Sequence, residues 1–380
     1  MVMKRNLSIA LLLTAVIWLN GCEQKSVVQP SGKTIKIGII APFTGADRAK
    51  GDEGLKGIKA AMQLTPYLKN GDTIELVVED DRGDPGQSLK ALKKLAEADK
   101  VSAILTLSGS GPVLAMASIA DDYKTPILAL VATHPNITRN NQFVSQFSFD
   151  GDFQGAVAAL YVRDELLIDR VAVFMNPDST YSSHLGNEFA RKFESIGGQI
   201  TDTVFLSRDA DDYEGMLKRV RTKNPEMLYL PIEAGNVIRI IKEAEKMDWA
   251  PQIMGSDGLL SVVLIKYKDE SRLLDGLLAT DLYAYEAPLT SYGEKATSEI
   301  KGKPTTYAAL GVEGYALLVD AMNRCNPPGE RSCINNMIRS TLDFEGIMGK
   351  ISIGPNGKAA RPLFINAIHG GKMKYIVKVY

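Results

Sequence analysis

From Thr34 to Leu130, apolar runs of strand length alternate with stretches of helical period, and from Phe153 the alternation starts again. Thr34–Ile40, Thr73–Glu79, Ala103–Leu107 and Pro126–Leu130 read as strands, with helices predicted over 54–64, 88–98 and 113–123. After a break near Phe149-Asp150-Gly151, strands are predicted at 171–174, 199–205, 227–231 and 276–280. Helices are predicted between them at 153–166, 181–196, 213–221 and 237–247. Such alternation implies parallel sheets covered on both faces, an α/β fold. A chain of 380 residues is also long enough for two cores. Two further helices, over 308–324 and 334–342, precede strands at 350–353, 363–368 and 375–379, with a turn at Gly354-Pro355-Asn356-Gly357.

The first 21 residues stand apart from this pattern. Lys4 and Arg5 precede an apolar run from Leu7 to Leu19, too short to span a bilayer, which is the form of an export signal. Leu19-Asn20-Gly21-Cys22 follows and resembles the bacterial lipobox, in which the cysteine is acylated after cleavage. The expectation is a lipoprotein signal peptide over 1–21, lipidation at Cys22 and a lipidated tether over 22–33, with the protein exported and lipid-anchored. Its place would be the periplasmic face of a bacterial membrane, or the cell surface if the host has one membrane. Oxidising conditions there would let the remaining two cysteines, Cys325 and Cys333, close a local disulfide. With 44 basic against 45 acidic side chains and no basic run, the chain lacks the clustered positive charge of a nucleic-acid binder.

Several segments carry a resemblance. Ile37-Gly38-Ile39-Ile40-Ala41-Pro42-Phe43-Thr44-Gly45, Glu79-Asp80-Asp81 with Asp84-Pro85, Ser110-Gly111, Ala132-Thr133-His134-Pro135 and Gly255-Ser256-Asp257-Gly258 occur in that order. Together they resemble the type I periplasmic solute-binding proteins of the branched-chain amino acid and amide ABC transporter family. The resemblance implies two Rossmann-like lobes with parallel sheets joined by three hinge crossovers, near 149–152, 279–282 and 352–356. Lobe 1 would comprise 34–150 plus 281–353, and lobe 2 151–280 plus 354–380. It implies a small polar, amino-acid-like solute held between closing lobes and delivered to ABC permease subunits in the membrane, without a cofactor.

Residue by residue, Ser110 matches the family serine that bonds the ligand carboxylate, and its place between an apolar strand and a helix would aim free N–H groups at an anion. Val131, Ala132 and Thr133 match the segment that completes the carboxylate cradle. Asp257 matches the acidic residue that takes the α-ammonium, Tyr181 an aromatic that closes from the second lobe, and Tyr307 a residue of the side-chain pocket. Lys50 and Glu233 stand where relatives often place aromatic residues. If they face the cleft they favour a polar ligand, because burying either charge against an aliphatic chain is costly.

Enzyme readings lack their motifs. Ser108, not Gly, stands two residues before Ser110, so the nucleophile elbow fails. His134, His184 and His369 are scattered, no Walker A lysine or H-E-x-x-H occurs, and no metal site is expected. The alternatives that remain are a ligand-sensing subunit for a membrane signalling protein and a non-binding envelope scaffold.

Overall fold

The computed structural model describes residues 30, 32–207, 209–270, 272–300 and 304–380. The signal peptide, Cys22 and the tether as far as residue 29 lie outside the described residues.

A five-stranded sheet holds β1 (Thr34–Ala41), β2 (Thr73–Asp80), β3 (Ala103–Thr106), β4 (Ile127–Ala129) and β5 (Val144–Gln146), in the order β2-β1-β3-β4-β5 and parallel throughout. α1 (Arg48–Leu64), α2 (Pro85–Lys93), α3 (Ser110–Ala117) and α4 (Ala120–Tyr123) connect its first four strands. Ile37, Ile39, Leu105 and Leu128 are fully buried, as near-continuous apolar strands of a sheet covered on both faces should be. The expected helix over 113–123 begins earlier, at Ser110, and is interrupted at Ile119, whose φ of −129° and ψ of 4° are not helical.

The second sheet follows the same logic. α5 (Gly151–Leu160) leads to β6 (Arg170–Met175), α6 (Thr180–Ser195), β7 (Gln199–Phe205), α7 (Tyr213–Thr222), β8 (Met227–Leu230), α8 (Ala234–Lys246), β9 (Gln252–Gly255), α9 (Leu259–Lys266) and β10 (Leu278–Asp281). The chain then passes through α10 (Ser291–Ser298), α11 (Thr306–Asn323) and α12 (Arg331–Arg339). A small antiparallel sheet of β11 (Thr341–Glu345), β12 (Lys350–Ile353) and β13 (Ala359–Ala360) follows. The hairpin β14 (Leu363–His369) and β15 (Lys372–Val379) closes the second sheet, ordered β15-β14-β10-β9-β8-β6-β7. The expected helix over 334–342 stops at Arg339. Thr341–Glu345 is extended instead, because it pairs antiparallel with β12 and leaves Leu342 exposed.

Three stretches pass between the two sheets: from β5 to α5, from β10 to α11, and from β13 to β14. Arg361 joins them. Its guanidinium, 8% exposed as a residue, donates to the carbonyl of Phe147 and to that of Leu282, both at 3.4 Å, and pairs with buried Glu313 of α11 at 2.8 Å. Glu313 also accepts the Ile347 N–H at 2.7 Å, so the buried charge pair is anchored at both ends.

α11 packs on α1 by backbone contact. A Cβ on Gly57 would stand 1.9 Å from the Ala308 carbonyl oxygen, and one on Gly311 2.2 Å from that of Gly54. These glycines bring Tyr307 at the start of α11 close to Lys50 in α1. Cys325 and Cys333 form a disulfide across the α11–α12 connection. Among the described residues, no helix is long and apolar enough to cross a membrane.

Candidate ligand-binding cleft

Parallel strands deliver their following loops to one edge, and a ligand cleft is expected beyond the carboxyl ends of the strands. Here both sheets turn those edges toward one another. Ser110 and Thr133 follow β3 and β4 of the first sheet, while Asn176, Glu233 and Asp257 follow β6, β8 and β9 of the second. The two lobes are in contact: a Cβ on Gly111 would lie 3.8 Å from Thr180 Oγ1, and Thr306 Oγ1 donates to Asp281 at 2.8 Å.

Ser110 is the first residue of α3, and the preceding Gly109 supplies no side-chain cap. The Ser110 hydroxyl is buried without a protein hydrogen-bond partner. Ser108 differs. Its hydroxyl donates to the buried Asp81, which also accepts from Ser88 Oγ at 2.8 Å and the Gly83 N–H at 2.9 Å. The Glu79-Asp80-Asp81 run thus builds loops: Asp80 accepts the Phe43 N–H at 2.9 Å and the Thr44 hydroxyl at 2.6 Å.

Val131, Ala132 and Thr133 are buried in the turn after β4. The Ala132 carbonyl accepts from Gln146 Nε2 at 3.1 Å and Ser148 Oγ at 2.5 Å, and the Thr133 carbonyl accepts the Gly151 N–H at 2.8 Å. Because a trans peptide points its C=O and N–H in opposite directions, the Thr133 N–H faces away from Gln146 and Ser148. An α3 N-terminus beside such a turn is suited to an anionic group.

Asp257, half-buried between β9 and α9, lies across the cleft. Its Oδ1 accepts from Gln154 Nε2 at 2.8 Å and from the Tyr181 hydroxyl. Burial raises its pKa, while the Tyr181 and Gln154 hydrogen bonds and the Lys50 charge hold it back. The Tyr181 hydroxyl is pushed well above its ordinary value by burial and then by Asp257, so it remains a donor. A half-buried carboxylate of this kind is relieved by a ligand cation.

Lys50 Nζ lies 3.2 Å from Asp47 Oδ1. Burial pulls the Lys50 pKa down, but Asp47, Tyr307 and Asp257 outweigh it and the ammonium is stabilised. The structure therefore brings Lys50, Tyr307, Asp257 and Tyr181 into one electrostatic neighbourhood. Tyr307 is buried, and a Cβ on Gly258, whose φ is +74°, would stand 2.2 Å from its hydroxyl. Glu233 is half-buried at the start of α8 and accepts from Asn176 Nδ2 at 2.7 Å.

Two polar groups escaped the sequence reading. Gln154 bridges Asp257 to Thr280 Oγ1, the latter at 2.9 Å. Asp281, fully buried at the end of β10, accepts from Thr306 and has its carboxyl pushed up to about 7, first by burial. No spacing signal marks either residue, since their partners lie more than twenty positions away. His369 sits apart from the cleft, 3.8 Å from Asp275.

Comparison with known proteins fits this geometry. The family model described as periplasmic binding protein matches residues 34–372. A Leu/Ile/Val-binding protein homolog from Brucella abortus is 23% identical over 364 residues, covering 93% of each chain. A solved leucine-binding protein from Thermotoga maritima superposes with a TM-score of 0.85 at 29% identity, covering 91% of this chain and 98% of that one. A solute-binding protein from Rhodopseudomonas palustris BisB5, solved with 3,4-dihydroxybenzoic acid, has a TM-score of 0.80 at 20% identity over 91% and 97% of the two chains. The family and these neighbours are solute-binding receptors rather than enzymes. The chain belongs to the periplasmic binding protein family, as a type I member of its branched-chain amino acid ABC transporter group.

Proposed function

We propose that this protein is an exported, lipid-anchored receptor that closes its two lobes over a polar, amino-acid-like solute and delivers it to ABC permease subunits. In this reading 34–150 and 151–280 form the bodies of lobes 1 and 2, and the passages between the sheets put β11–β13 with lobe 1 and β10 and β14–β15 with lobe 2 rather than dividing the chain at 281 and 354. The observation that carries it is the opposition of two unlike sites. The buried Ser110 hydroxyl, without a protein partner at a helix start, and the half-buried Asp257 carboxylate follow strands of different sheets, linked across the seam by the Gly111–Thr180 approach and the Tyr181–Asp257 hydrogen bond. A carboxylate takes the first, with Thr133 and the Val131–Ala132 backbone, and an α-ammonium takes the second, with Tyr181. Lys50 and Tyr307 line the side-chain end beside Asp47, where a paired charge favours hydroxyl or amide groups over an aliphatic chain. Glu233 adds a further polar wall.

A thermal-shift panel tests this reading. Amino acids, amides, aromatic carboxylic acids and polyamines are presented to folded protein stripped of carried-over ligand. A binder at roughly 100 times its dissociation constant adds about 2.7 kcal/mol to stability. The reading predicts that amino acids with polar side chains raise the melting temperature and that a benzoic acid without an ammonium does not. For the anchor, Cys22→Ser is expected to move the protein from the membrane fraction to the supernatant; unchanged fractionation contradicts lipidation at that residue.

A further inference from the structure

Two of the chain's three histidines meet at the seam between the lobes. His134 follows the cradle residue Thr133 on the first lobe, and His184 projects from α6 of the second. Their ring centroids are 4.6 Å apart with planes inclined at 50°. His134 Nδ1 accepts the Asn136 N–H at 3.2 Å and so caps the turn Pro135–Thr138, an interaction that needs a lone pair on that nitrogen. His184 Nε2 lies 2.8 Å from Asp152 Oδ1. Gly151 threads the seam, since a Cβ there would stand 3.1 Å from both His184 Cδ2 and the Thr133 carbonyl oxygen.

The charges around the pair come from three elements. Asp150 and Asp152 stand at the start of α5. Lys358, in the turn before β13, is paired with Asp150. On α6, Arg191 is bonded to Glu188 and acts electrostatically on Asp152. The exposed Arg139 lines a small surface pocket that Lys358 and Asn136 share.

We propose that His134 and His184 form a proton-operated latch across the cleft: neutral rings let the lobes close over the cradle, and protonation of both forces the seam apart and loosens the bound solute. Burial lowers the His134 pKa below the ordinary histidine value and the His184 charge lowers it further, against Asp152 and Asp150. A base whose affinity for protons is weaker in the closed form favours closure above the ordinary histidine range. That contribution is lost as pH falls through the range. A proton on His134 Nδ1 also faces the Asn136 N–H donor to donor, so the turn adjoining Thr133 loses its cap. The signal has one residue to travel before it reaches the cradle.

Closure is measured without a ligand by a disulfide trap. Gly111→Cys with Thr180→Cys spans the seam, in the full chain carrying Cys22→Ser. Oxidative cross-linking is timed at pH 8 and pH 5.5 in this parent and after adding His134→Gln, His184→Gln or Asp152→Asn. Thiol chemistry slows equally in all of them at low pH, and Asp281 titrates in all of them, so each variant is read as a ratio to the parent at the same pH. The latch predicts ratios near one at pH 8. At pH 5.5 either histidine variant cross-links faster than the parent, by up to about fivefold, the limit for two unit charges at this separation in water. Asp152→Asn, which removes the counter-charge, cross-links more slowly than the parent at pH 5.5. Histidine ratios that do not change with pH, or that change for one histidine alone, overturn the proposal.

Discussion

Ser108 gives its hydroxyl to buried Asp81, whereas two residues later the Ser110 hydroxyl has no protein partner. Their substitutions should therefore separate. Ser108→Ala leaves part of a buried carboxylate unsatisfied and is expected to cost about 1–3 kcal/mol of stability, read from denaturant melts. Ser110→Ala removes nothing the folded chain uses, so its stability should be nearly unchanged, while solute affinity falls roughly tenfold or more with the loss of a hydrogen bond to a charged group. Asp281 yields a pH prediction. Its carboxyl is held near 7 in the folded chain against an ordinary value of 3.8, so between these values the folded state keeps a proton that the unfolded state has released. Stability from this group is present at low pH and declines as pH rises through 7. Melting temperatures at pH 5 and pH 8 should diverge less in Asp281→Asn than in the parent. At this scale Ser110 and Asp257 stand out in the sequence only as matches to a family pattern, whereas Gln154 and Asp281 act through partners that spacing does not reveal.

Elements were legible where period and length agree. β1 and β7 appear as their alternation and apolar content predict, and the α/β alternation sets both sheets. The stretch from 250 to 300 was harder, because β9 spans only Gln252–Gly255 and α9 is apolar on every side, so neither shows a clear period. The helix misread beyond Arg339 ends in a strand for a tertiary reason, its pairing with β12. The α1–α11 crossing was equally hidden, since a glycine's close approach leaves no periodic trace. Gly311→Ala would drive a methyl into the Gly54 carbonyl 2.2 Å away and is expected to cost about 1–3 kcal/mol by overpacking. Because the same crossing sets Tyr307 against Lys50, solute affinity should fall with it. The Cys325–Cys333 bridge, closing a loop with a sequence separation of 8, is expected to contribute about 2–3 kcal/mol. A double Cys→Ser variant measured against the oxidised parent checks this value.

For the whole molecule, the resemblance of ordered motifs gave the two-lobed architecture, and physics supplies what joins the lobes. Arg361 contacts all three passages between the sheets, directly or through Glu313, and has no motif to announce it. Removing one partner of a buried ion pair strands the other charge. Arg361→Met is therefore expected to cost about 3–5 kcal/mol, with Arg361→Met/Glu313→Leu recovering part of the loss. The stability of the double variant relative to each single one checks the coupling.

In the proposed mode of binding, one solute carries a carboxylate to Ser110 and an ammonium to Asp257. Isothermal titration of the stripped protein with the strongest hit of the amino-acid panel, repeated with Ser110→Ala and Asp257→Asn, tests it most directly. One site per chain is expected, with a loss of roughly tenfold or more in each variant and both variants folded. Tight binding of an aromatic acid that Asp257→Asn leaves untouched, or of any solute indifferent to both substitutions, would contradict it.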